Sequence, residues 1–259
     1  MIPAREIREK ARGYGIPETT VERDYAQSWL LKNLRAMKLV LKGGTGVRKA
    51  YIPDYRFSDD LDFTLIERVN KDNLMDLLIM ALSKAREDCG IDFGEETFLG
   101  EDENGYEAIV YFRILRKAGN PLRIKLDFTK SENENILLPT VTRRINHSYS
   151  DRCNPRIKVY SLEEIVAEKI RALFERTRPR DIYDVWALND KIDEAKMLSI
   201  LYRKFEFKGV EFDISSLKRR RDDFADAWES SLVHQVKELP KFDKVFEEVI
   251  RLVRRYEAH

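Results

Sequence analysis

The stretch from Leu39 to Ile66 constrains the possible folds of this 259-residue chain more than any other segment. It opens with an apolar run, residues 39–41, that predicts a short buried strand. Gly43 and Gly44 interrupt that strand, and residues 45–51 are compatible with a short helix that begins just after the turn. From residue 60 to residue 65 polar and apolar residues alternate, which predicts a second strand with one polar and one apolar face. The combination of a strand, a glycine pair, a helix and a second strand with one polar face indicates a functional site much more specifically than any one of these parts.

The polar face of the second predicted strand carries two carboxylates. Asp60 and Asp62 lie two residues apart, so on a strand they point the same way and repel each other unless a cation lies between them. Hard cations such as Mg²⁺ bind carboxylate oxygens and usually complete their shell with substrate phosphates. The glycine turn ahead of a helix is where a phosphate can approach backbone N–H groups. Each part alone is usually structural, as a simple turn or a solvated strand face, but together they favour nucleotidyl transfer.

Two motifs in this stretch resemble a known family. Lys42-Gly43-Gly44-Thr45 and the segment from Arg56 to Phe63 resemble the signature of the AbiEii/AbiGii nucleotidyltransferase toxins, of the DNA polymerase β-like superfamily. The resemblance implies a metal-dependent transferase that moves NMP from an NTP to an acceptor hydroxyl and serves as the toxin of a toxin–antitoxin pair. Some members modify the acceptor end of tRNA. The implied partners are therefore NTP, an RNA acceptor such as tRNA (or a protein acceptor) and a cognate antitoxin. Gly-Gly-Thr replaces the Gly-Ser of the wider superfamily, and Thr supplies the same hydroxyl.

A third carboxylate is expected from a later strand. Alternation predicts strands over residues 106–115 and 122–129, joined by a hairpin-like loop. Asp127 lies near the end of the second strand, which in the superfamily supplies a carboxylate beside the paired ones. By resemblance, Asp60, Asp62 and Asp127 hold two Mg²⁺ (or Mn²⁺) ions. One ion would activate the attacking hydroxyl, and the other would bridge the triphosphate and stabilise the leaving pyrophosphate.

The resemblance also predicts the residues that bind the nucleotide. They are Lys42, Gly43, Gly44, Thr45, Arg56, Ser58 and Lys169. The glycine turn and Thr45 would cradle the phosphates through backbone and hydroxyl donors, and the three cations would neutralise their charge. As alternatives, Lys42 and Arg56 could form structural salt bridges, and Ser58 could only shape the turn.

Lys169 belongs to a second motif, residues 168–184, in a region with a helical pattern. Pro179 separates two predicted helices, and Asp181 and Asp184 lie on one face of the second. This arrangement resembles the family's C-terminal motifs, in which the Lys is associated with nucleotide phosphate and the Asp with catalysis. The spacing makes Asp184 a better catalytic match than Asp181, and both stay candidates. The alternative is a salt-bridged helical hairpin without chemistry.

Composition narrows the class of protein. The formal net charge is +1, so no global positive field indicates nucleic-acid binding, and any such contact would come from local patches. Cys89 and Cys153 lack CxxC spacing and the chain has three His, which argues against a zinc site or a disulfide framework. The sequence shows no signal-peptide core and no apolar run of membrane-spanning length, so a cytoplasmic protein without membrane contact is expected. The basic runs at 218–221 and 251–255 are expected to be solvated helix faces, with RNA-backbone contact as the alternative.

The sequence thus predicts an α/β (α+β) nucleotidyltransferase domain with a small mixed sheet and N-terminal helices at residues 1–155. A mainly helical domain at 156–259 would follow and close one side of a cleft. Further helices are expected before Pro17, at 18–33 with Thr19 or Thr20 as the cap, and at 71–85 with Gly90 just beyond its end. Segment 92–105 is acidic and turn-rich, segment 130–160 is expected to be a polar connection, and Ser161 and Glu164 are expected to form a capping box.

Two other functions stay open. A metal-dependent phosphodiesterase could use the same carboxylates with water as the attacking group, but it would not need a triphosphate cradle. A non-catalytic NTP-binding interaction module would bind nucleotide without turnover.

Overall fold

The computed structural model describes residues 1–257, apart from the side chain of Glu95. The chain forms two compact units. The first combines residues 1–134 with 140–160, and the second combines residues 135–139 with the described residues from 161 onward. Each unit is treated separately below.

The first unit contains four helices and seven strands. In chain order these are α1 (Ala4–Tyr14), α2 (Glu18–Leu34), β1 (Leu39–Lys42), α3 (Gly43–Ala50), β2 (Leu61–Leu65), α4 (Lys71–Cys89), β3 (Asp92–Glu101), β4 (Gly105–Arg113), β5 (Leu122–Thr129), β6 (Val141–Arg144) and β7 (Arg156–Val159). The strands form one sheet in the order β3-β4-β5-β2-β1-β7-β6. Because β2–β5 and β1–β7 are parallel while the other neighbours are antiparallel, the sheet is mixed, as the sequence predicts.

One face of this sheet is apolar and buried, and the other is partly exposed. Along β4 and β5 buried residues alternate with half-buried or exposed ones. Helix α2 packs against β5 and against α4, and α4 also contacts β3. In the sequence, an antiparallel strand with one buried and one solvated face shows alternating apolar and polar residues. Strands β4 and β5 were therefore predictable.

The sequence-based predictions for this unit were wrong in three places. Segment 92–105, expected to be turn-rich, contains strand β3, which pairs with β4 around an irregularity between Phe93 and Thr97. The connection at 130–160 contains β6 and β7, whose four-residue lengths give little periodicity. Neither Thr19 nor Thr20 caps α2, because the helix begins at Glu18 with Pro17 at the N-cap position and no side-chain cap.

The second unit is helical, as predicted. Its elements are α5 (Leu162–Glu175), α6 (Pro179–Leu188), α7 (Glu194–Lys208), α8 (Ile214–Arg219), α9 (Arg221–Asp226), α10 (Trp228–Leu232) and α11 (Phe242–Glu257). The Ser161 hydroxyl caps α5 by accepting from the Glu164 N–H at 3.2 Å. The expected reciprocal bond from the Glu164 side chain is wrong: that carboxylate accepts from the N–H groups of Leu137 and Leu138 at 2.7 and 2.9 Å. Among residues 1–257 no helix is long and apolar enough to cross a membrane.

Candidate nucleotidyltransferase site

The turn between β1 and α3 requires glycine at its first position. Gly43 has φ +69°, and a Cβ atom there would lie 2.4 Å from the Asp62 Oδ2 atom. At Gly44, the next residue, a Cβ atom would lie 2.8 Å from Arg56 Nη2 and 3.2 Å from Ser58 Oγ. The glycine pair therefore allows the Asp62 carboxylate and the Arg56 guanidinium to pack directly onto the first turn of α3.

Strand register aligns four charged residues across the sheet. Lys42 on β1 pairs with Asp62 on β2, Asp62 pairs with Asp127 on β5, and Asp127 pairs with Glu107 on β4. Neighbouring strands lie about 4.8 Å apart, so the Asp62 and Asp127 side chains project side by side from the partly exposed face. Two of the three carboxylates predicted from sequence are thus brought together by adjacent parallel strands.

Asp127 shows the electrostatic consequence of this row. Burial, followed by the negative charge of Asp62, raises the pKa of Asp127. Lys125, two residues earlier on the same face, opposes the shift, with its ammonium 3.0 Å from Asp127 and 2.7 Å from Glu107. Lys125 and Glu107 were missed from sequence, although the alternation that identifies Asp127 places Lys125 on the same face.

Asp60 lies immediately before β2 in a loop fixed by other side chains. The Thr45 hydroxyl donates to the Asp60 carbonyl at 2.5 Å, and Thr45 is fully buried. Gln27 on α2 donates to the carbonyls of Ser58 and Asp59 at 2.9 and 3.1 Å. In this structure the Thr45 hydroxyl therefore bonds to the loop that carries Asp60, and its predicted contact with phosphate stays a prediction.

The cations predicted near the nucleotide lie at two places in this unit. The Lys42 ammonium contacts the Glu134 carboxylate at 2.7 Å and the Thr129 hydroxyl at 3.1 Å, and both roles predicted for Lys42 stay predictions. Arg56 is buried against Gly44 and donates to the Phe57 carbonyl at 3.0 Å. Because the N–H groups at the start of a helix also carry positive charge, a guanidinium held there creates a local attraction for anions.

A buried ion cluster fixes α3 against α2. The Asp24 carboxylate lies 2.7 Å from Arg48 Nε and 2.8 Å from Lys49 Nζ, and it accepts from the Tyr149 hydroxyl at 2.8 Å. Burial would raise the pKa of Asp24, but the charges of Lys49 and Arg48 outweigh it and hold that pKa well below its usual range. Sequence reasoning assigned no chemistry to Asp24. The signal available was the pair of cations, Arg48 and Lys49, inside a buried helix.

The second unit holds its own ion cluster between α5 and α6. The Lys169 ammonium lies 2.7 Å from Asp181 and 2.9 Å from Asp184, and Arg176 Nε lies 2.8 Å from Asp181. Both carboxylates are about 1% exposed. Burial would raise the pKa of Asp181, but Lys169 and Arg176 outweigh it and lower that pKa well below its usual range. The predicted motif residues Lys169, Asp181 and Asp184 therefore contact one another, in a buried cluster whose positive and negative charges offset each other.

The carboxylate row matches the ligand chemistry of a hard divalent cation. In the described part of the chain, no group of three or more His, Cys, Asp or Glu side chains is close enough to hold a metal ion. Asp62 and Asp127 nevertheless form an adjacent pair, and burial followed by the charge of Asp62 raises the pKa of Asp127. Mg²⁺ is usually bound by one or two carboxylates together with water and substrate phosphates. The residues therefore suit an ion that arrives with nucleotide better than one held by protein alone.

Comparison with known proteins agrees with this geometry. Residues 28–248 match the family described as nucleotidyl transferase AbiEii toxin, type IV TA system. The match includes the glycine turn, all three candidate carboxylates and the second ion cluster. No curated protein matches the sequence.

Two solved structures share the fold. The nucleotidyltransferase toxin MenT4 from Mycobacterium tuberculosis superimposes with a TM-score of 0.67 at 17% identity, covering 98% of this chain and 90% of MenT4. JHP933 from Helicobacter pylori gives a TM-score of 0.54 at 19% identity and covers 93% of each chain. These structures show the fold, and the family match over most of the sequence shows the family: the chain is a member of the AbiEii nucleotidyltransferase toxin family of type IV toxin–antitoxin systems.

Proposed function

We propose that the protein is a metal-dependent nucleotidyltransferase that moves NMP from an NTP to an acceptor hydroxyl at an RNA end, with tRNA as the leading candidate and protein as the alternative. It would act in the cytoplasm, under control of a cognate antitoxin. The observation that carries the proposal is the row of Lys42, Asp62 and Asp127 across three adjacent strands, with Gly43 beneath the Asp62 carboxylate. This row joins a carboxylate pair to the start of a helix.

Asp62 and Asp127, joined by Asp60 from the preceding loop, would hold Mg²⁺ or Mn²⁺. When bound, the metal would supply Lewis-acid stabilisation of phosphate charge and acidify the attacking hydroxyl. The protein's contribution is to hold the two carboxylates side by side on adjacent parallel strands. Lys125 supports this by offsetting the repulsion between them.

The start of α3 would bind the phosphates. Backbone N–H groups at Gly43 and Gly44 and the guanidinium of Arg56 present positive charge at one place, which suits the charge that spreads over phosphate oxygens in the transition state. Ser58 packs beside Gly44 and would order this turn. Thr45 would act indirectly, because its hydroxyl donates to the Asp60 carbonyl and so holds the loop that carries Asp60. The Lys42 ammonium would add positive charge near the phosphates while it stays paired with Glu134.

Lys169 is proposed as a further phosphate-binding cation, with Asp181 and Asp184 as its immediate partners. The ion pairs at 2.7 and 2.9 Å would fix the position of the ammonium. Asp184 remains the proposed catalytic candidate and Asp181 the positioning residue, since Asp181 is also held by Arg176.

The partly exposed sheet face favours RNA as the acceptor. Phe98 on β3, 57% exposed, pairs with Ile109, which pairs with Lys125. This row adjoins the one that contains Asp127. Tyr111 and Arg123 form a pair two residues further along β4 and β5. Aromatic side chains interspersed with cations on an open sheet face are a common platform for stacking unpaired bases.

The test is incubation with Mg²⁺, each α-labelled NTP in turn and a total tRNA pool. Wild type is compared with Asp60→Ala/Asp62→Ala and with Asp76→Asn, which changes an exposed carboxylate on α4. Label on RNA that is lost in the double variant and kept in Asp76→Asn is expected. Label on protein would retain the chemistry and change the acceptor. Nucleotide binding without label transfer would favour the binding-module alternative, and release of nucleotides from RNA without NTP would favour a phosphodiesterase.

A further inference from the structure

A cavity lies in the first unit at the end of the sheet where β1 and β7 begin and β2 ends. Its volume is about 420 Å³, within the usual range for small-molecule sites. It is formed by the C-terminal end of α2, the segment that follows it, and strands β1, β2 and β7. The apolar lining includes Leu31, Leu34, Met37, Leu41, Phe63 and Ile157.

Positive charge surrounds this apolar interior. Arg35, Lys38, Arg156 and Lys158 line the cavity and are exposed, whereas Glu67 is the one acidic residue in its lining. Glu67 is already paired with Lys38 at 2.5 Å. Within residues 1–257, the other three cations have no carboxylate partner. Because Lys38 neutralises Glu67, the other three cations give the mouth of the cavity a net positive charge, which favours binding of an anion.

The cavity touches the strands of the candidate site from the opposite face. Leu41 directly precedes Lys42, and Phe63 directly follows Asp62. The Phe63 ring also stacks on Phe128, next to Asp127, with centroids 5.5 Å apart and planes 14° apart. A ligand that displaces Leu41 or Phe63 would therefore shift the backbone that carries the reacting carboxylates.

We propose that this cavity binds a small amphiphilic anion, an apolar body with a single anionic head group, at a site separate from the nucleotide site. The apolar lining takes the body, and Arg156 and Lys158 take the head group at the mouth. Burying the apolar part would supply the affinity, and the cations would select the charge.

The test uses three probes with the same apolar body and different heads: octanoate, 1-octanol and octylammonium, titrated calorimetrically. Octanoate is expected to bind at least tenfold more tightly than octylammonium, and more tightly than octanol. In Arg156→Gln/Lys158→Gln the octanoate affinity is expected to fall at least tenfold while octanol binding stays unchanged. Arg251→Gln/Arg255→Gln, which alters the cations of another cavity in the second unit, is the matched control and is expected to bind as wild type.

Methyl NMR locates the binding independently of enzymatic activity. Octanoate is expected to shift the methyl signals of Leu34, Leu41 and Ile157. Equal affinity for the three probes, an unaltered octanoate affinity in the Arg156/Lys158 variant, or no saturable octanoate binding below its micellar range would each overturn the proposal. Because the readout is binding, its failure leaves the proposed nucleotidyl transfer untouched.

Discussion

At the scale of single residues, Gly43 sets the position of Asp62. We expect Gly43→Ala to reduce nucleotidyl transfer by at least about 100-fold, since misplacing a reacting group by about 1 Å has an effect of that size. The added Cβ would lie 2.4 Å from Asp62 Oδ2, so the carboxylate must move. Initial rates of label transfer measure the effect.

A matched control separates this displacement from backbone strain. Gly90 has the same φ of +69°, but a Cβ there would meet nothing within 4 Å. Gly90→Ala should therefore carry only the strain of the positive φ, about 1 kcal/mol of stability, and keep full activity. Equal activity of the two variants would show that the contact with Asp62 does not matter.

We expect the Asp127 carboxylate to be required for activity although it lowers the stability of the fold. Asp127→Asn should abolish most activity but raise Tm by about 1–2 °C at neutral pH without metal, because it removes the repulsion with Asp62. The effect is small since the side chain is 36% exposed and solvent screens it. The pKa of Asp127 is raised in the folded state, so the destabilisation exists above that pKa and disappears once Asp127 is protonated at low pH.

Thermal melts across pH 3–8 check this prediction. The Tm difference between Asp127→Asn and wild type should vanish at the acidic end. A variant less stable than wild type at neutral pH would mean that the contact with Lys125 outweighs the repulsion.

Single-residue positions were predictable where alternation on a strand or a motif specified them. The positions of Asp62 and Asp127 follow from period-two patterns, and the position of Gly43 follows from the need for a turn before α3. The partner of the Thr45 hydroxyl was not predictable, because it depends on a loop returning from residues 51–60 to the base of α3. The partner of Lys42 depends on Glu134, which is 92 residues away in sequence.

At the scale of elements, the Asp24 cluster joins α2 to the helix that starts at the glycine turn. Asp24→Asn should cost about 3–5 kcal/mol of unfolding free energy at pH 7, since it leaves Arg48 and Lys49 buried without their counter-charge. The folded-state pKa of Asp24 is lowered, so the stabilisation is present above the unfolded pKa of about 3.9 and is lost as pH falls below it. Urea unfolding at pH 7 and at pH 3, below the unfolded pKa, measures both effects.

Glu9→Gln is the control for this cluster. Glu9 pairs with Arg5 on the exposed surface of α1, so its loss should leave the urea midpoint unchanged. If Asp24→Asn were as mild as Glu9→Gln, the buried cluster would not be what holds α3 in place.

Element prediction failed where pairing, rather than local pattern, makes the strand. Strand β3 contains acidic and glycine residues that disfavour a strand locally, but β4 supplies a partner along it. Strand β7 owes its position to parallel pairing with β1, a contact between residues more than 100 positions apart. Helices with a strong apolar stripe, such as α4 and α5, needed no such partner and were predicted.

At the scale of the whole molecule, charge is balanced and most cations of the C-terminal basic runs are already paired. Arg219, Arg221, Arg251 and Arg255 each contact a carboxylate, and Arg220 donates to the Leu173 carbonyl at 2.7 Å. The charge of these residues is therefore largely offset within the protein, and the expectation of solvated helix faces stays a prediction. Binding of an RNA acceptor should therefore depend on stacking at the sheet face more than on phosphate neutralisation.

This balance predicts a shallow salt dependence for acceptor binding. With about two or three phosphate contacts, the slope of log K against log salt should lie near −2, since single strands lose about 0.7 per neutralised phosphate.

Phe98→Ala should weaken binding by about 1–3 kcal/mol at every salt concentration and leave the slope unchanged, because stacking releases no counterions. Arg123→Gln should instead reduce the slope by about 0.7. Filter binding of labelled RNA over a series of KCl concentrations measures all three values. A wild-type slope steeper than about −5 would mean that a larger basic surface carries the RNA, since Arg123 and Lys125 alone could not neutralise that many phosphates.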